Sequence, residues 1–484
     1  MNRHVLMSAM GATALVAATL AGASSASALT GVASSAPAVA TATAADDPIG
    51  TYYDAGPTRL LDTRKDGTRL PLAAGSTTTV QIAGRATANN LGIPETGVSA
   101  VVLNLTAVTT TSQGYFTVYP SDASRPTASS INFPKGWTGA NMVTVPVGAD
   151  GMVKIYNYGG AAHAVVDVLG WYAGDVSVLT GTGMGAQFYP ATDSGDATRL
   201  YDSRQDPDGA YAGGDYIEFS DEWVDEATAA SIRAYTLNIT AVGATKPGVL
   251  TAWAGGGAPK PATSTLNYEP GVIAPNMAVV PAGQYGGAVT GFRIQNASSG
   301  TVNFVVDIAG YYVRDDSAGL RYTPLAPHRI LDTRKGIGLS GAFTSGQVRT
   351  LDASSVSSTS SSYVVANTTG VVPSKQTYLT VWSGDGPRPT ASNLNVAPGL
   401  VRSVSTYAPL SASGSSFTVY NNAGTMDVVI DAAGTLDLYT PTDPLATSQD
   451  TGATTLQRST GTSGEPTGTL PAHPAPRASA SERG

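Results

Sequence analysis

One six-residue phrase returns three times along the chain, as Arg59-Leu-Leu-Asp-Thr-Arg64, Arg199-Leu-Tyr-Asp-Ser-Arg204 and Arg329-Ile-Leu-Asp-Thr-Arg334. Each copy is closed by a second phrase that sets an aspartate inside an apolar run: Val165-Val-Asp-Val-Leu-Gly-Trp-Tyr172, Val305-Val-Asp-Ile-Ala-Gly-Tyr-Tyr312 and Val428-Val-Ile-Asp-Ala-Ala-Gly434. The aspartates Asp62, Asp202 and Asp332 lie 140 and 130 positions apart, room in each interval for a domain with its own core. The chain therefore reads as three copies of one domain. The copies also compare themselves, so recurring polar residues separate from incidental ones.

Within the first copy, short β-rich segments alternate with Gly, Pro, Asp and Ser: 58–63, 77–82, 100–108, 115–119, 130–133, 142–147, 152–156 and 163–172. Asp150-Gly151, between two of them, is a hairpin signal. The other copies keep this order, except that 221–231 and 354–362 replace the segment before the third strand. Glu222, Glu226 and the alanines favour a short helix in the first of these. About eight strands per copy predict an all-β chain of three tandem jelly-roll or Greek-key-like β-sandwich domains, over 49–174, 187–314 and 321–439. Charged residues make up only 13%, about half the usual share, as suits an extracellular β protein.

Arg3 and His4 precede an apolar run from Val5 to Ala21, and Ala26-Ser27-Ala28 supplies the small residues a signal peptidase cuts after. Residues 1–28 read as a signal peptide, 29–48 as a flexible spacer and 440–484 as a disordered Pro/Ser/Thr-rich tail. The expected product is secreted, extracellular, and released or held at the cell surface by binding. No later segment approaches the ~20 apolar residues that span a bilayer. With no cysteine, stability must come from buried apolar area, and thiol chemistry is excluded. A net charge of −8 leaves no basic field for a phosphate backbone, so nucleic acid is not an expected partner.

Asp167, Asp307 and Asp431 sit in strands with apolar neighbours on both faces, so each needs a cation or several N–H donors. The recurring arginines supply them, since a guanidinium binds a carboxylate through two parallel hydrogen bonds. Arg59, Asp62, Arg64 and Asp167 are expected to form a structural polar clip, with counterparts Arg199, Asp202, Arg204 and Asp307, and Arg329, Asp332, Arg334 and Asp431. Asn104, Asn238 and Asn367 recur in the third strand, Asn132, Asn267 and Asn395 further on, and Asn157, Asn296 and Asn421 at a hairpin end. All are expected to satisfy backbone groups at turns and sheet ends.

A surface for a ligand is expected elsewhere. Tyr119, Trp253 and Trp382 fall at one equivalent position, on the more polar side of their strand by alternation, followed by Arg125, Lys260 and Arg388. An exposed aromatic beside a cation suits a sugar ring or an anionic polymer; the competing reading packs these rings between copies. Catalytic readings are weaker. His163 lies four residues before Asp167 on one strand face, yet no Gly-x-Ser-x-Gly elbow accompanies it. In Leu61-Asp62-Thr63-Arg64 an arginine holds the position that aspartic proteases give to glycine, and it opposes proton sharing. No metal-ligand motif stands out beyond Asp206-Pro-Asp-Gly209, and no cofactor or metal is expected.

The series Arg-Leu-Leu-Asp-Thr-Arg, Asn-Leu-Thr-Ala-Val, Gly-Tyr-Phe-Thr-Val-Tyr-Pro, Arg-Pro-Thr-Ala-Ser-Ser-Ile-Asn and Val-Val-Asp-Val-Leu-Gly-Trp-Tyr resembles a repeat of secreted actinobacterial proteins, sometimes found beside hydrolase domains. The resemblance covers about residues 50 to 440 and implies no particular activity. The third copy departs most, with Thr435-Leu436 in place of the closing aromatics. The expectation is a non-enzymatic binding or adhesion protein for an extracellular or cell-surface glycan or protein. The alternatives are a hydrolase acting on polysaccharide or peptidoglycan, and a purely structural assembly with the copies packed about a pseudo-threefold axis.

Overall fold

The computed structural model describes residues 2–6, 47–67, 69–179, 183–314 and 319–439. Apart from residues 2–6 and 47–48, the expected signal peptide and spacer lie outside the described residues, as does the tail from 440. Strand β1 is Asn2–Leu6.

The first repeat holds β2 (Tyr52–Asp62), β3 (Thr77–Gln81), β4 (Val98–Val108), β5 (Gly114–Pro120), β6 (Ile131–Phe133), β7 (Gly139–Pro146), β8 (Met152–Tyr158) and β9 (His163–Ala173). They form two four-stranded antiparallel sheets, β2-β9-β4-β7 and β3-β8-β5-β6. One sheet faces the other across a core of Val101, Leu103, Leu105, Phe116, Ile131, Phe133, Val153, Ile155 and Val166, all buried, and the pair is a β-sandwich. The first strand starts earlier than its composition suggests. Asp54-Ala-Gly-Pro57 reads as a break, yet the ladder resumes beyond an irregularity between Asp54 and Thr58, with Gly56 at φ 54°. Asp150-Gly151 does form a turn, with Gly151 at φ 75°, but it joins β7 of one sheet to β8 of the other and is no hairpin.

The second repeat runs β10 (Gln187–Pro190), β11 (Thr198–Asp202), β12 (Tyr216–Glu222), helix α1 (Glu226–Ser231), β13 (Ile232–Val242), β14 (Gly248–Ala254), β15 (Leu266–Tyr268), β16 (Ala274–Pro281), β17 (Gly283–Gly286), β18 (Val289–Asn296) and β19 (Asn303–Val313). The helix is shorter than the composition of 221–231 suggests, because the strand holds to Glu222. Asp225 then caps the helix, accepting from the Thr228 amide at 2.7 Å. The third repeat runs β20 (Leu320–Asp332), β21 (Val348–Asp352), β22 (Ser361–Val371), β23 (Thr377–Trp382), β24 (Leu394–Val396), β25 (Val401–Pro409), β26 (Ser416–Asn421) and β27 (Asp427–Leu438). Each of these repeats also encloses a buried apolar core.

The repeats are joined as a ring. Strand β10 pairs with β19 of its own repeat and, at Phe188 opposite Leu320, with β20 of the next, so the inner sheets of repeats 2 and 3 run together. A bridge between Tyr52 and Ala186 ties in the first. The edge strands β7, β16 and β25 touch pairwise, and a further buried cluster draws on all three repeats. In it Tyr172 stacks on Tyr322 at 4.3 Å and Tyr312 on Tyr52 at 4.2 Å, so each ring lies on one from a different repeat. The recurring Gly170, Gly310 and Gly434 make room for this, because a Cβ there would collide with Tyr52, Phe188 and Tyr322 respectively.

Candidate functional site

The three clips share one arrangement of residues, and the first and third share one set of bonds. Cross-strand register sets Arg59 opposite Asp167, Arg199 opposite Asp307 and Arg329 opposite Asp431. Arg59 donates from Nε to Asp167, from Nη2 to the same carboxylate at 3.2 Å and from Nη1 to Asp62 at 3.2 Å. Arg329 repeats this with 2.8, 3.0 and 3.3 Å. Arg64, Arg204 and Arg334 cover the other carboxylate, donating to Asp62, Asp202 and Asp332 at 2.7, 2.5 and 2.8 Å. These outer arginines hold the Asp62 carboxyl down at about 2, with Asp202 and Asp332 lowered for the same reason. Burial instead raises Asp167 and Asp431 despite their arginines. The two carboxylates of each clip are thus bridged by a guanidinium and buried, rather than set across a cleft. His163 bonds the Thr63 hydroxyl at 3.0 Å rather than Asp167.

The third-strand asparagines do something the sequence did not indicate: they stitch one repeat to the next. Asn104 donates to Ser264 O at 2.7 Å, Asn238 to Ser392 O at 2.6 Å and Asn367 to Ser129 O at 2.5 Å, so repeat 1 holds 2, 2 holds 3 and 3 holds 1. Asn276 answers from repeat 2, donating to Asn104 Oδ1 at 3.0 Å and accepting from the Met142 amide at 2.9 Å. Asn141 does the same for Asn367 and Ser405, at 2.9 and 3.0 Å. Small crevices of about 40 and 10 Å³ lie beside two of these seams, lined by Asn367 and Asp431, and by Asn104 and Asp167. Asn157, Asn296 and Asn421 clasp loop carbonyls, Asn157 those of Leu72, Ala73 and Gly160. Asn132 and Asn395 bond serines three residues earlier, and Ser264 bonds Asn267.

Within the cluster shared by the three repeats, the hydroxyls of Tyr172, Tyr312 and Tyr407 meet in a buried triangle. Tyr172 bonds Tyr312, and Tyr407 lies 3.4 and 3.2 Å from the two. The third repeat has Leu436 where the others carry Tyr172 and Tyr312, and it supplies its hydroxyl from β25 instead. Each hydroxyl can donate once and accept once, which closes the ring without water. Tyr172→Phe should lower unfolding stability by roughly 1–2 kcal/mol, since it leaves two buried hydroxyls one partner short; denaturant unfolding measures it.

Tyr119, Trp253 and Trp382 are buried, 6%, 6% and 4% exposed, so the exposed platform expected of them does not exist. Alternation chose the face correctly but could not show what covers it. The loop returning from β14 folds back, and the Trp253 indole donates to Ala258 O at 3.1 Å. Arg125, Lys260 and Arg388 are exposed. Arg125 lies over Tyr156 at 3.8 Å and Arg388 over Tyr420 at 3.7 Å. Beside Arg125, Tyr115 stacks on the half-exposed Tyr158 at 4.7 Å; beside Arg388, Tyr378 meets Tyr420 at 6.0 Å. The outward alternation of Lys154, Tyr156 and Tyr158 in β8 was the signal for this patch. In repeat 2, Gln295 replaces the ring, and Glu218 is paired with Arg293 at 2.7 Å. Asp206 accepts from the Tyr201 hydroxyl at 2.7 Å.

No helix among the described residues is long and apolar enough to cross a membrane. No protein-family model and no curated protein matches the chain. Among solved structures it is similar to one described as the triple jelly roll fold and turret assembly in an archaeal virus, at 11% identity over 80% of this chain and 90% of that one, TM-score 0.15. A second comes from the Sulfolobus turreted icosahedral virus, at 10% identity over 76% and 86%, TM-score 0.16. At those TM-scores the chains do not superpose as wholes, and neither likeness carries an argument about this molecule.

Proposed function

We propose that the chain is an exported, non-catalytic binding protein made of three fused jelly-roll sandwiches, and that the outer sheets of repeats 1 and 3 hold a cell-surface glycan. The strand order supports the jelly-roll reading alone: the first, eighth, third and sixth strands of repeat 1 share one sheet, and the second, seventh, fourth and fifth the other. The observation that carries the glycan reading is the recurring pairing of an exposed arginine with a tyrosine ring, Arg125 on Tyr156 and Arg388 on Tyr420, beside a further tyrosine contact. The stacked Tyr115 and Tyr158 of repeat 1 and the tilted Tyr378 and Tyr420 of repeat 3 offer apolar ring surface to a pyranose, and the guanidinium offers several donors to its hydroxyls or carboxylates. Two such faces on one rigid ring favour a polymer that engages both.

A glycan array and a cell-wall pull-down with the full chain test this. Tyr158→Ala should weaken binding several-fold while thermal stability stays nearly unchanged, because Tyr158 is 54% exposed, and adding Tyr115→Ala should bring the loss to about tenfold. Undiminished binding by that double variant, or an absence of glycan binding by the native chain, would overturn the reading.

A further inference from the structure

The three seams of the ring are not equal, and their differences converge on one pair of residues. Aligned on Pro146, Pro281 and Pro409, which end β7, β16 and β25, the answering residues are Asn141, Asn276 and Val404. Two seams therefore have a second stitch, and the seam between repeats 2 and 3 has a valine. Its consequence is visible: Asn238 Oδ1 is buried without a partner, whereas Asn104 and Asn367 each receive an amide donor there.

A second deficit falls at the same place. Arg59 and Arg329 hold both oxygens of their aspartates, but Arg199 bonds Asp307 through Nε alone and gives Nη2 to Thr390 O of the third repeat, at 3.4 Å. Asp307 Oδ2 is left buried and unpartnered. Asn238 and Asp307 are direct cross-strand partners in β13 and β19, so the two orphan oxygens project from neighbouring positions on one sheet face. Both are acceptors. What the seam lacks is a hydrogen.

We infer that the seam between repeats 2 and 3 is a proton-dependent latch, closed when Asp307 carries a proton and loosened when it is ionised, while the other two seams stay fastened by their asparagines. A proton on Oδ2 turns one orphan acceptor into a donor and leaves no buried charge half-solvated. The groups facing Asp307 are few. Arg199 faces it from β11, with Asp202 beyond, itself paired to Arg204; its cross-strand partner in β13 is Asn238, and in the third repeat the Thr390 and Ser392 carbonyls accept from Arg199 and Asn238. Burial pushes the Asp307 carboxyl up to about 6, against the pull of Arg199. A folded value above the ordinary one means that the closed seam gains from the proton at low pH and loses that gain as pH rises through 6. Between pH 5 and pH 8 the opening equilibrium should rise about tenfold.

Hydrogen–deuterium exchange of the full chain, corrected for intrinsic rates, reads each seam separately. Amides in 388–396 should lose about tenfold in protection from pH 5 to pH 8. Equivalent amides in 260–268 and 125–133, at the other seams, should change less. Asp307→Asn, neutral at every pH and carrying a donor at the orphan position, should abolish the difference. Val404→Asn, which restores the missing stitch, should raise protection at pH 8 toward that of the other seams. Equal pH responses at all three seams, or an undiminished response in Asp307→Asn, would overturn the latch. If Asp307→Asn does not fold, Val404→Asn decides: no gain in protection at pH 8 counts against it.

Discussion

Replacing Arg329 by alanine should cost roughly 3–5 kcal/mol of stability at neutral pH, the largest single-residue loss expected in the chain. The third clip is the most enclosed of the three. Asp332 is 0% and Asp431 3% exposed, and the Arg329 side chain is itself only 15% exposed. Its removal strands one carboxylate wholly and the other in part, and unpaired charges in an apolar sheet have nowhere to go. Replacing Arg329 and Asp431 together by methionine and leucine should recover much of the loss, because no unpaired ion then remains, Asp332 keeping its pair with Arg334. Urea unfolding at pH 7 distinguishes the two variants. If the single replacement matched the double one, the clip would not be a matched ion pair at all.

Stability should peak in mild acid, between about pH 4 and 5, and fall by several kcal/mol toward pH 8. Two buried acids and the half-buried Asp54 drive the alkaline side. Burial raises Asp221 to about 7, with only the Tyr235 hydroxyl opposing, and raises Asp54 and Asp307 to about 6. Each folded value exceeds the ordinary one, so its contribution is whole below about pH 4 and is lost as pH climbs through 6 to 7. Asp62, Asp202 and Asp332 behave oppositely. Their lowered values give stability that is present above about pH 4 and lost as pH falls further, toward 2 for Asp62. Asp221→Asn should flatten the alkaline decline most, since its carboxylate is fully buried with neither oxygen hydrogen-bonded. Thermal melts across pH 3 to 9 check both limbs; a native chain most stable at pH 8 would refute the assignment.

What could be read from the chain follows from what repetition encodes. A repeated Arg-x-x-Asp with a distant repeated Asp points to a charge pair, because an apolar strand tolerates a carboxylate only beside a cation, and the register does bring Arg59 to Asp167. Alternation likewise placed the strands of the first repeat to within a few residues, except the start of the first, which lies at Tyr52 rather than at 58. It was silent on relations between copies. Asn104 looks the same in sequence whether it serves its own turn or the carbonyl of Ser264, 160 positions away. Tyr407 escaped notice because it completes the hydroxyl triangle from a different strand than Tyr172 and Tyr312 do. Trp253 and Trp382 were placed on the right face and the wrong side of a loop.

The two ends of the three-repeat body, residues 47 and 439, also meet. Asp47 accepts from the Tyr439 hydroxyl at 2.9 Å, the Arg321 guanidinium lies 3.3 Å over the Tyr439 ring and donates to Asp47 O at 2.7 Å, and Tyr322 N reaches Gly50 O at 2.9 Å. The links from repeat 1 to 2 and from 2 to 3 leave from this same pole, where Ala173 and Gly319 also bond the segments that begin and end the ring. The covalent order of the repeats is thus incidental to the object they build. A circularly permuted chain, opened after Ala173 and joined from 439 to 47 by a short linker, would close the same ring with repeat 2 at its head.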